Sequence, residues 1–274
     1  MEGVVQIGGH ASGLGTTQRR DTWWVGPLLT VFGIFVLLGY MTWAAFQGDH
    51  YYTGPYLSPL YEPLLFIDGS AAGSAPVDHA WIGGWPAWWP DFLPVSPALL
   101  ILAFPGAFRA TCYYYRKAYY RSFSATPPGC AVGALKQNAY KGETRLLVVQ
   151  NLHRYAMYFA LLYIPILALG AFRSFFHDGE FGVGVGSLVL TVNAVLLTAF
   201  TLGCHAWRHL IGGKLDCFSC DAPARMRYKA WSWSSWLNGR HQLFAWVSFF
   251  VVASADLYVR LVSMGVITDL NTWS

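Results

Sequence analysis

Residues 25–46 read VGPLLTVFGIFVLLGYMTWAAF and hold no charged side chain. A run of about twenty apolar residues matches roughly 30 Å of bilayer hydrocarbon. Inside hydrocarbon a chain satisfies its backbone polar groups only as a helix or in a closed barrel. The length of the run therefore fixes the fold class, an all-α membrane protein. Further apolar runs cover residues 92–108, 150–172, 185–209 and 241–262, so the sequence predicts five transmembrane helices. The second holds Pro94, Pro97 and Pro105 and is expected to be irregular at its outer end. Composition agrees: 12% of residues are charged, against about 25% in a soluble domain.

Charge placement gives the orientation. Residues 47–91 hold no Lys or Arg, 109–154 hold eight and 208–240 hold six. With Arg19 and Arg20, sixteen of the eighteen cations fall on one side, leaving Arg173 and Arg260. The positive-inside rule then puts the N-terminus in the cytoplasm and the C-terminus outside. The expected organisation is a cytoplasmic tail, 1–22, and a membrane domain, 23–274, with an outer cap at 47–91 and inner loops at 109–149 and 210–240. The first apolar run reads as a retained helix because no convincing cleavage site follows it. The Trp-rich cap is expected to lie in the outer interface. A net charge of +4 placed in this way points to a membrane and not to nucleic acid.

Thiols and imidazoles gather at one depth. Cys112 and Cys130 flank the first inner loop, His153 begins the third span, Cys204, His205 and His209 end the fourth, and His241 begins the fifth. Five cysteines cannot all pair, and on the reducing side free thiols or metal ligands are expected. His205 and His209, four apart on a helix, share a face and can chelate a metal; Cys204 would point about 100° away from His205 and is the less natural partner. Cys217 and Cys220 form a lone C-x-x-C, a weak signal. Each residue alone also fits an interfacial or small buried side chain, and co-location is what favours a shared centre. Asp256 and Arg260, four apart in the fifth span, are expected to pair, and Asn193 to hydrogen-bond between helices.

The motifs CYYYRKAYYRSF, PPGCAV, QNLHRY, CHAWRH, LNGRH and DLYVRLVSMG, in this order, resemble the membrane anchor subunit SdhC of an actinobacterial class of succinate dehydrogenase, respiratory complex II. The resemblance runs from about Trp23 to the C-terminus. It implies an enzyme subunit that takes electrons from flavoprotein and iron–sulfur subunits and delivers them to a quinone, menaquinone or ubiquinone. It also implies a Rieske-type [2Fe–2S] cluster within the membrane subunit, and leaves a higher oligomer open. Such a cluster needs two thiolates and two imidazoles, and imidazole ligation raises its potential from about −400 mV to about −150 to +300 mV.

The expected ligands are Cys112, Cys130, His205 and His209, with Cys204, His153 and His241 as competitors. Quinone binding is assigned to His153, Arg154, Tyr155, Arg240 and His241, with Tyr113 and Trp231 as walls. Residues 113–121 are expected to contact the iron–sulfur subunit. Two alternatives stand beside this reading. One is a dihaem cytochrome b anchor, for which an outer haem b lacks visible ligands because His50, His79 and His177 fall in loops. The other is a zinc-binding or structural membrane anchor.

Overall fold

The computed structural model describes residues 13–135 and 146–273. Its helices are α1 (Val25–Gln47), α2 (Pro97–Ile101), α3 (Ala103–Thr111), α4 (Tyr113–Ala118), α5 (Leu146–Arg173), α6 (Val185–Leu202), α7 (His205–Gly212), α8 (Ala222–Asn238) and α9 (His241–Ser263). Among the described residues four helices are long and apolar enough to cross a membrane: α1, Asn151–Arg173 of α5, α6 and α9. The run at 92–108, expected as a further span, is instead covered by the two short helices α2 and α3, with a break at Leu102. The cause is Pro105: it has no N–H to donate, and its ring meets the carbonyl of Ile101 four residues back. The run expected at 185–209 also breaks, α6 ending at Leu202 and α7 starting at His205.

Helix α6 packs between α5 and α9, α3 lies on α5, and α1 lies against α2 and α9. Around the first break the inner core gathers Phe108, Cys112 and Tyr115 with Met157, Phe200, Cys204 and Phe249. Higher up, Leu167, Leu190, Ala194 and Val259 join α5, α6 and α9. On α1, Leu29, Phe32 and Phe35 are 63%, 66% and 66% exposed; a helix with so apolar a free face is stable against acyl chains and not against water.

The outer segment does more than rest in the interface. Tyr51, Tyr61 and Ile67 are buried, and the first two stack with ring centroids 4.4 Å apart. Short ladders, Tyr52–Thr53 with Tyr56–Leu57 and Phe66–Ile67 with Gly83–Gly84, hold its shape. It is pinned to the bundle through the charged pair expected in the last span. Asp256 and Arg260 do approach, Nε to Oδ2 3.7 Å, but each has better partners. Asp256 accepts hydrogen bonds from Ser58 of the cap and from Tyr40 of α1, the latter at 2.6 Å. Arg260 donates to the Asp49 carboxylate and carbonyl, both at 3.0 Å. The network thus ties cap, α1 and α9 together, as burial of two charges requires. Asn193 is buried, yet its Oδ1 has no hydrogen-bond partner among the described residues.

Glu62 of the cap lies against α5 where Gly170 has no side chain; a Cβ there would come within 2.3 Å of its carboxylate oxygens. Burial pushes the Glu62 carboxyl up to about 8, opposed by Arg173. An acid with a raised folded pKa favours the folded state while protonated, so its contribution is lost as pH rises from about 4.5 to about 8. Stability in detergent is expected to fall across that window in the wild type and to be flat in Glu62→Gln, checked by thermal unfolding at a series of pH values. By the same assay Asp256→Ala, which strips the buried Arg260 of one partner, is expected to cost about 3–5 kcal/mol, while Ser58→Ala costs about 1 kcal/mol.

Candidate metal centre

Two helices are interrupted in the same way. Cys112, between α3 and α4, has φ −65° and ψ 137°; Cys204, between α6 and α7, has φ −65° and ψ 140°. An extended residue between two helices turns the chain and puts each cysteine at the start of a new helix, where free N–H groups point back at it. Burial pushes both thiols up, Cys204 to about 12, and the amides of Tyr114 and Tyr115 at Cys112 and of Ala206 and Trp207 at Cys204 oppose that rise without overcoming it. A helix N-terminus favours thiolate, the form that binds metal.

Two histidines meet these sulfurs. His153 Nε2 lies 3.1 Å from Cys204 Sγ, and His241 Nε2 lies 3.8 Å from Cys112 Sγ. Each imidazole is stacked on a phenylalanine four residues before a cysteine: His153 on Phe108 and His241 on Phe200, both with centroids 4.9 Å apart and planes within 7°. The tautomer of His153 follows from its neighbours. The Thr111 hydroxyl donates to the Ala107 carbonyl at 2.7 Å, so toward His153 Nδ1, 2.9 Å away, it accepts. Nδ1 therefore carries the proton, and Nε2 presents a bare lone pair to the sulfur, the arrangement of a metal-ligating imidazole. His241 has Nδ1 buried without a hydrogen-bond partner among the described residues. A Cβ on Gly203 would come within 3.2 Å of that Nδ1, so the glycine before Cys204 lets the ring sit close.

Of the four expected ligands, the structure keeps one in this group. Cys112 is joined by Cys204, His153 and His241, the three competitors. His205 and His209 do share a face of α7, with Nε2 atoms 3.1 Å apart, but they are exposed and turned from the buried group. The angle used against Cys204 assumed one continuous helix; the break at Cys204 removes that premise. Cys130 is exposed, its carbonyl held by Arg19 at 2.9 Å. Cys217 and Cys220, expected as free thiols or ligands, are joined in a disulfide. The residues expected around a quinone do not form one site. Arg154, Tyr155 and Tyr113 are exposed on α5 and α4, Arg240 lies over Trp236, and Trp231 stacks with Tyr228 beneath Arg208.

A sequence signal for the centre was present. Phe108-x-x-x-Cys112-x-x-x-Arg116 and Phe200-x-x-x-Cys204-x-x-x-Arg208 are the same motif in two places, and in space they supply equivalent halves of the group. The two halves do not merge into one tetrahedral pocket. Among the described residues no three of His, Cys, Asp or Glu stand together as ligands of a single ion. Two thiols and two imidazoles are the number and kind of ligands that a binuclear [2Fe–2S] centre with two thiolates on one iron and two imidazoles on the other takes.

A family model described as actinobacterial succinate dehydrogenase subunit SdhC matches residues 25–265. A chain of the Mycobacterium smegmatis Sdh1 complex in the apo form superposes with a TM-score of 0.80 at 38% identity, covering 94% of each chain. No curated protein matches. The chain belongs to the actinobacterial family of succinate dehydrogenase membrane subunits, SdhC.

Proposed function

We propose that in this multi-pass inner-membrane subunit Cys112, Cys204, His153 and His241 hold a Rieske-type [2Fe–2S] cluster, through which electrons pass from the iron–sulfur subunit toward membrane quinone. The observation that carries the proposal is the facing of two imidazole Nε2 atoms on two buried sulfurs. Such a cluster supplies one-electron transfer at a potential raised by imidazole ligation. The chain's own part is to fix the ligands. Thr111 sets the His153 tautomer, the breaks at Cys112 and Cys204 bring the two sulfurs to the imidazoles, and Phe108 and Phe200 stack on the two rings.

Several observations weigh for this reading over its alternatives. A zinc site needs its ligands around one ion, which the two separate pairs do not offer. A haem needs imidazoles facing a porphyrin-sized space, whereas both buried rings face sulfur. With the cation-rich loops in the cytoplasm, the centre lies near the face where flavoprotein and iron–sulfur subunits would dock, and the basic aromatic segment at 113–121 lies beside Cys112. Five spans, with the broken 97–111 segment counted as one, would complete the expected topology.

Iron and acid-labile sulfide are measured on the purified intact complex. Cys112→Ser, Cys204→Ser, His153→Ala and His241→Ala are each expected to lose about two irons and two sulfides per complex, the content of one binuclear cluster. Cys130→Ser and the double change His205→Ala, His209→Ala are expected to lose none. Retention of iron in the first set, or loss in the second, contradicts the assignment.

A further inference from the structure

Two imidazoles outside the buried centre meet each other. His205 and His209 are exposed on α7, yet their Nε2 atoms stand 3.1 Å apart with ring planes at 83°. Positions four apart lie on one helical face, and here both rings turn toward one point instead of out to water. Two nitrogens that each bind a zinc ion at about 2.0–2.1 Å stand about 2.9 Å apart at a right angle and about 3.3 Å apart at the tetrahedral angle. The separation of 3.1 Å falls between these limits. In the metal-free pair one Nε2 donates to the other. Moving that proton to Nδ1 of its own exposed ring leaves two bare lone pairs on a common point.

The helix under the pair is held at both ends. Arg208, between the two histidines, lies over Trp231 at 5.0 Å and donates to Asn238 Oδ1 at 3.4 Å. Asn238 in turn donates to the Gly203 carbonyl at 2.8 Å. At the other end Arg227 donates to the Ile211 and Gly213 carbonyls at 2.9 and 2.6 Å. Helix α8 thus fixes the start and the finish of α7, and the imidazoles stand on a backbone already set for a ligand. Among the described residues no third His, Cys, Asp or Glu joins them, so water completes the coordination shell. An open pair of imidazoles suits zinc, nickel or copper; calcium and magnesium take oxygen ligands instead.

We propose that His205 and His209 form a second metal site, an exchangeable surface chelate for a zinc-class divalent ion, distinct from the buried Cys/His group. In the buried group each imidazole faces a sulfur; on α7 imidazole faces imidazole. The site stands or falls apart from the cluster reading. An ion held there clamps the first turn of α7, which starts directly after Cys204, and so fixes from the surface the segment that carries one buried thiol.

The test uses the intact complex in mild detergent, stripped with a chelator, dialysed against micromolar zinc chloride without reductant and desalted, with zinc and iron then measured on the same samples. Wild type is expected to hold one zinc per copy of this chain more than His205→Ala or His209→Ala. His209→Gln keeps a hydrogen-bonding group in place of the ring; it too is expected to lose the zinc, which a purely structural contact would not require. The double change Cys217→Ser, Cys220→Ser is expected to bind zinc as wild type does, and iron is expected to stay constant throughout. Equal zinc in wild type and the histidine variants means an adventitious ion only and overturns the proposal. So does zinc retained in His209→Gln, or zinc lost with Cys217 and Cys220. Iron lost together with zinc would put His205 and His209 in the cluster and overturn both assignments; absent iron with normal zinc overturns the cluster alone.

Discussion

The facing of His153 on Cys204, and of His241 on Cys112, depends on two places where a helix stops and restarts near the end of the apolar layer. Backbone groups freed by such a break are costly in hydrocarbon unless something takes them up. Here the breaks are short: the Cys112 and Cys204 amides donate back to the Arg109 and Thr201 carbonyls, both at 3.1 Å, and their carbonyls accept from the Arg116 and Arg208 amides, both at 3.0 Å. The same breaks aim the thiols into the bundle instead of along its surface. Without them the cysteines would lie on continuous helices, with their sulfurs away from the imidazoles.

The two breaks also make the halves of the group equivalent. Each half contributes a phenylalanine under a ring, a cysteine four residues on, and a histidine from the start of a long helix, α5 in one case and α9 in the other. Long straight helices supply the imidazoles and broken ones the thiols. Rigidity comes from the opposite end of the molecule, where Asp256 and Arg260 bind the cap to α1 and α9.

Much of this was legible from residues alone. Long apolar runs located α1, α5, α6 and α9, and the gathering of Cys and His at one depth pointed to the end of the bundle where Cys112, Cys204, His153 and His241 meet. The Asp256–Arg260 spacing pointed to a real network. What was not legible followed from local backbone. Pro105 was read as an irregularity near one end of a span, but it splits the helix at Leu102. Gly203 and Cys204 carry no proline to announce a break, so a helical angle was applied across a residue that is extended; that single step excluded Cys204 and favoured the exposed His205 and His209. The repeated Phe-x-x-x-Cys-x-x-x-Arg would have paired Cys112 with Cys204 directly. The cap's burial was hidden because its Tyr and Trp content fits an interfacial belt equally well. The lysines at 136 and 141, counted in the inner loop, lie outside the described residues.

The central claim is that His153 and His241 bind iron through nitrogen. Pulsed electron paramagnetic resonance of the reduced intact complex, prepared with ¹⁵N-labelled histidine, reads this directly. Two strong histidine-nitrogen couplings are expected on one binuclear signal, both absent when His153 and His241 are replaced and both retained when His205 and His209 are. A signal without histidine coupling, or coupling that survives in the His153, His241 double variant, would contradict the account.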